Sequence, residues 1–104
     1  MLKETYISNI KNLPKGVLIM KVTRTEGHPL SPSWNLLNKY KRKEITWDEF
    51  IVEFKNEMES CSFCQIMMKN VKELAKSRDV YLCCYEKQYP CHRFLLMDMI
   101  NKME

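Results

Sequence analysis

The sequence predicts an α/β protein: a small parallel sheet flanked by helices, three-layer, in a single domain. Three observations carry this reading. Two short apolar runs, residues 17–23 (VLIMKVT) and 80–85 (VYLCCY), have the continuous hydrophobicity of strands buried on both faces. Between them lie helical periodicities and two helix start signals. A helical crossover between two strands places them parallel in one sheet, with helices covering it.

The elements follow in order. Leu2, Tyr6, Ile10 and Leu13 recur near helical spacing, so residues 2–12 are expected to form a short helix, broken by Pro14-Lys15-Gly16. The first strand, residues 17–23, ends at Arg24, and residues 25–33 form a loop with Gly27, His28, Pro29 and Pro32. Ser31 is the expected N-cap of the next helix, with Pro32 at its first position, running through Trp34, Leu37 and Tyr40. Thr46 and Glu49 have capping-box spacing ahead of a helix whose stripe is Trp47, Phe50, Ile51, Phe54 and Met58. A third helix, residues 62–77, carries Phe63, Ile66, Met67, Val71, Leu74 and Ala75. The second strand, residues 80–85, precedes a last helix over residues 91–102.

In open parallel sheets ligands sit beyond the carboxyl ends of the strands. Arg24 lies at one such end and residues 84–93 at the other, so the candidate site is there. A helix N-terminus presents unpaired N–H groups, favours anions and lowers the pKa of nearby thiols. Neighbours on a strand face opposite ways, so only one of Cys83 and Cys84 can face this site.

Composition narrows the function classes. A net charge of +4 is mild for a dedicated nucleic-acid binder. The cations cluster in Lys39-Tyr40-Lys41-Arg42-Lys43, which reads first as a solvated helix end and second as a phosphate contact. No run approaches the ~18 apolar residues of a membrane span, and the first residues lack a signal-peptide core. No membrane partner and a cytoplasmic location are therefore expected. There, five cysteines read as metal ligands, reactive thiols or small buried residues rather than as a disulfide framework.

The chain resembles the Domain of Unknown Function 488 family. The resemblance rests on a strand ending in Arg24, the Pro32-Ser33 helix start and the aromatic helix opening ITWDEF with Phe54 and Glu57 beyond. Above all it rests on Cys84-Tyr85-Glu86 followed by Cys91-His92-Arg93. It implies a compact α/β fold and a site built from Cys84, Glu86, Cys91, His92 and Arg93, with Arg24. It implies no established activity, and any cofactor is left unassigned.

Three chemistries fit these residues. Arg24 and Arg93 suit a phosphate-bearing ligand, a nucleotide or nucleic acid, through their planar donor forks. His92 would add proton transfer, Glu86 would orient it, and His28 would join if its loop folds over the strand ends. Alternatively Arg93 pairs with Glu86 or Asp98 and only fixes the loop. The second chemistry is that of a reactive thiol, Cys91, activated by the helix dipole and its basic neighbours, with Cys84 as resolving partner. A third is zinc or thiol-redox chemistry: Cys61 and Cys64 have the CxxC spacing of a zinc half-site, with Cys84, Cys91 and His92 as the residues to complete a tetrahedron. Against zinc stand the absence of a Gly-rich knuckle and the C-x6-C spacing of Cys84 and Cys91, and no metal ligand is assigned. A non-catalytic interaction module, with the site as a loop lock, is the third class of function. An anion binder with Cys84, Cys91 and His92 as candidate catalytic residues is the reading carried forward.

Overall fold

A computed structural model describes residues 1–85 and 90–103. It contains a three-stranded parallel sheet with flanking helices. The strands are β1 (Leu2–Tyr6), β2 (Leu18–Lys21) and β3 (Val80–Cys84), in the order β1-β3-β2. The helices are α1 (Trp34–Lys41), α2 (Trp47–Glu59), α3 (Ser62–Ser77) and α4 (His92–Asn101), with 3-10 turns at Ile7–Asn12 and Arg24–Glu26. All five residues of β3 are buried, so both faces of the central strand are covered.

The first element departs from expectation. Residues 2–12 are not a helix but β1 followed by a 3-10 turn. A spacing of four is a multiple of two as well as close to a helical turn, so Leu2, Tyr6 and Ile10 fit either period. Pairing decides between them: β1 runs parallel to β3, Leu2 opposite Val80 and Tyr6 opposite Cys84. On the other side β2 pairs with β3, Leu18 again opposite Val80. The sheet thus has three strands where two were expected, and β2 and β3 are shorter than their apolar runs.

The helix starts follow local chemistry. Thr46 and Glu49 form the expected capping box, with Thr46 N–H donating to Glu49 Oε1 at 3.0 Å. The α1 cap is Ser33 and not Ser31. Ser33 Oγ accepts from Leu36 N–H at 3.1 Å, while its own N–H donates to Glu57 Oε1 at 3.0 Å. Glu57 thus fastens α2 to the start of α1, and Ser31 instead donates its hydroxyl to the His28 carbonyl. On α3 the buried face is Cys64, Met68 and Val71, whereas Phe63, Ile66 and Leu74 are exposed.

The core gathers Val22, Leu30, Leu36, Phe50, Phe54, Met58, Met68, Val71, Val80, Leu82, Leu96 and Ile100. Among the described residues no helix is long and apolar enough to cross a membrane.

Candidate functional site

The carboxyl ends of β2 and β3 meet the start of α4. The backbone beyond β2 stays on the sheet, because Val22 N–H donates to the Cys83 carbonyl at 2.9 Å. Thr23 then caps the Arg24–Glu26 turn, its Oγ1 accepting from Glu26 N–H at 3.3 Å. Gly27 closes that turn in the left-handed conformation, φ 67°, which a side chain adopts only at a cost. Tight turning here leaves Arg24 beside the end of β3. Across from it, Cys91 is the N-cap of α4 in extended conformation and His92 its first residue.

These elements bring Cys84, Cys91 and His92 together, all three buried, with their ligand atoms within 4.8 Å of one another. His92 Nδ1 lies 3.9 Å from Cys84 Sγ and 3.8 Å from Cys91 Sγ. Its Nε2 is hydrogen-bonded to the Val22 carbonyl, which can only accept. Nε2 therefore carries the hydrogen, and the lone pair of the neutral ring sits on Nδ1, facing both sulfurs. The ring is held by Phe54, edge to face at 5.7 Å between centroids. Phe54 ends a line of aromatic contacts from Tyr40 through Trp47 and Phe50.

Cys84 is pushed well above the ordinary thiol range, first by its hydrogen bond with Cys91 and then by burial. It is a thiol at neutral pH. Cys83, on the opposite face, is also raised, by burial first and by Cys84 second. Of the doubled pair, Cys84 faces the site.

Beside the cluster is a small pocket of about 80 Å³. Cys84, His92, Thr23 and Pro32 are its buried members, Trp34, Leu37 and Tyr85 line it, and Arg24, Thr25 and Lys41 bring polar groups. Arg24 Nε is buried without a hydrogen-bond partner among the described residues. A larger pocket of about 260 Å³ lies by α2, α3 and α4 among Lys55, Glu59, Asp98 and Lys102. Its charges are of both signs, and none of the clustered Cys and His side chains reaches it.

The other expected residues are placed differently. Arg93 does not line the Arg24 pocket: it is 0% exposed, its Nε donating to Glu4 Oε2 at 2.7 Å. Burial works to lower its pKa, but the Glu4 bond and the nearby Cys91 outweigh that and hold it above the ordinary value. Arg93 ties α4 to β1 through Glu4, while Arg24 and Lys41 line the pocket. His28 is half-buried, and its Nδ1 accepts from Leu30 N–H at 3.1 Å. Its pKa is lowered, by burial first and by His92 second. It lines a different opening, with Lys21 and Glu26. Glu86 lies outside the described residues.

Cys61 and Cys64 are joined as a disulfide at the start of α3 and do not join the cluster. The expectation of unpaired cysteines is corrected at this pair, and the zinc set that drew on it is not assembled. Glu4, Lys41, Phe54 and the Val22 carbonyl are the site's supports that sequence reasoning passed over. Lys41 left a signal as part of the basic run, and Phe54 as part of the aromatic stripe read as core.

Together these features define an α/β protein with a buried thiol–imidazole cluster at the carboxyl edge of a parallel sheet. The chain matches the family described as the active DUF488-N3 subclade, DUF488-N3a, over residues 4–104, and it belongs to that family. No curated protein and no solved structure matches it.

Proposed function

We propose that the Arg24 pocket binds a phosphate-bearing ligand, a nucleotide or a nucleic-acid segment, and that the protein is an enzyme acting on it beside Cys84 and His92. The observation that carries this reading is the buried Arg24 Nε, a donor with no partner among the described residues, on a residue that lines a pocket with a buried thiol and a buried imidazole. An unmade hydrogen bond on a buried charged group is costly, and an anion would complete it. Lys41 adds a second cation, and Trp34, 53% exposed, offers a face on which a base can stack. Trp34 and Lys41 lie seven residues apart, so two turns of α1 set them on one side. The description of the subclade as active supports turnover.

The test is binding of inorganic phosphate and of a 5′-mononucleotide, read by Trp34 fluorescence and amide shifts. A charge-assisted hydrogen bond contributes about 1.5–3 kcal/mol, so Arg24→Ala should weaken phosphate binding about tenfold or more. The mononucleotide should bind more tightly than phosphate alone, and Trp34→Ala should remove that difference. Equal affinity in Arg24→Ala and the unaltered protein would end the proposal.

A further inference from the structure

We infer that Cys84, Cys91 and His92 form a three-ligand site for one zinc-class divalent cation, bound by two thiolates and the Nδ1 of the ring. The geometry is already close to what such an ion requires. Zn–S bonds of about 2.3 Å and Zn–N bonds of about 2.0–2.1 Å at tetrahedral angles put S and N about 3.6 Å apart. Here the two S–N separations are 3.8 and 3.9 Å. Contraction by a few tenths of an ångström along each S–N edge, with the two sulfurs drawn from within 4.8 Å to the roughly 3.8 Å that tetrahedral angles require, would complete three corners of a tetrahedron.

The support behind the histidine is the second observation. A metal-binding imidazole characteristically donates its other N–H to a carbonyl or carboxylate, which fixes tautomer and ring plane. His92 does this with Val22, whose own N–H is anchored to Cys83. The ring is held further by Phe54.

Charge gives a third argument. All three residues are buried, and two bare thiolates would be costly there. A divalent cation with two thiolates and a neutral imidazole has no net charge. Loading is balanced as two thiols plus the cation giving the bis-thiolate complex and two released protons. Sulfur and nitrogen donors favour zinc-class ions over magnesium or calcium. Cys84 and His92 also line the Arg24 pocket, so the fourth position would open to whatever binds there, as in catalytic zinc sites. Only that fourth position rests on the pocket reading; the three protein ligands stand without it.

The full-length protein, freed of metal, would be titrated with Co2+ and then with Zn2+. Expected are the intense absorption of tetrahedral cobalt and a thiolate charge-transfer band, saturating at one ion per chain and bleached by one equivalent of Zn2+. Two protons per ion should be released in weak buffer. Cys84→Ser and Cys91→Ser should each lose the charge-transfer intensity, while Cys83→Ser and the Cys61→Ser/Cys64→Ser pair keep it. Should a cysteine variant misfold, the unaltered protein still decides: Zn2+ should shield Cys84 and Cys91, but not Cys83, from alkylation mapped by peptide mass. Absence of the cobalt bands, or shielding of neither cysteine, would overturn the inference. Arg24→Ala should keep the metal and lose phosphate. Phosphate binding without metal would sink the inference alone, and metal binding without phosphate would sink the pocket reading alone.

Discussion

Two arginines near one sheet edge have different tasks, and the difference lies in what surrounds each guanidinium. Arg93 is wholly buried against Glu4, whereas Arg24 lines a pocket and keeps a buried nitrogen with no partner among the described residues. Removing one partner of a buried ion pair leaves the other charge uncompensated, which typically costs about 3–5 kcal/mol. Glu4 is partly exposed, so Glu4→Gln is expected to destabilise by less, about 2 kcal/mol, measured by urea unfolding. Arg24→Ala should not lower that stability, because it removes a buried donor whose hydrogen bond is unmade among the described residues. Comparable losses in the two variants would show that Arg24 also holds the fold. The sequence allowed Arg93 to be either a ligand contact or a loop lock. It could not name Glu4 as the partner, because Glu4 lies 89 positions away and was read on a helix. By contrast, the thiol–imidazole cluster was legible, since Cys84 and Cys91-His92 flank one short connection.

At the level of elements, local chemistry predicted what it controls. The Thr46–Glu49 capping box appears as spaced, because both partners lie within one turn. Glu49 is held below the ordinary carboxylate value of 4.5, first by the Thr46 backbone N–H and then by its side chain. A depressed pKa means that this stabilisation is present above the ordinary value and is lost as pH falls below it. Melting temperature measured from pH 6 down to pH 3 should therefore fall less steeply in Glu49→Gln than in the unaltered protein. Parallel slopes would show that the box contributes nothing to acid sensitivity. Where a long-range partner decides, local reading failed. Ser33 displaced Ser31 as the α1 cap because Glu57, 24 residues on, takes its amide and hydroxyl. β1 was missed because its period is ambiguous until β3 is placed beside it.

Over the whole molecule, the aromatic line through α1 and α2 links the basic end of α1 to the imidazole. Phe54 is the last of these rings, fully buried and against His92. Phe54→Leu is expected to destabilise modestly, about 1–2 kcal/mol, since a smaller apolar chain leaves a limited void. Its larger effect should be on the cluster, as a broadened His92 ring resonance and faster alkylation of Cys84 and Cys91. An unchanged ring signal would show that the Val22 carbonyl suffices to hold it. The fold class and the position of the site at the strand ends followed from apolar runs and crossovers. The aromatic support did not, because its rings read equally well as plain core.

The strand order has a consequence for how the chain comes into being. β1 and β2 are both outer strands, and each pairs only with β3, which begins at residue 80. A growing polypeptide therefore carries two strands without a template while three helices are synthesised. Contacts of such sequence separation close slowly and leave apolar edges open meanwhile. The arrival of Val80–Cys84 is the event that makes the sheet, and the same five residues deliver Cys84 to the cluster. The sheet and the thiol–imidazole cluster thus mature in a single late step.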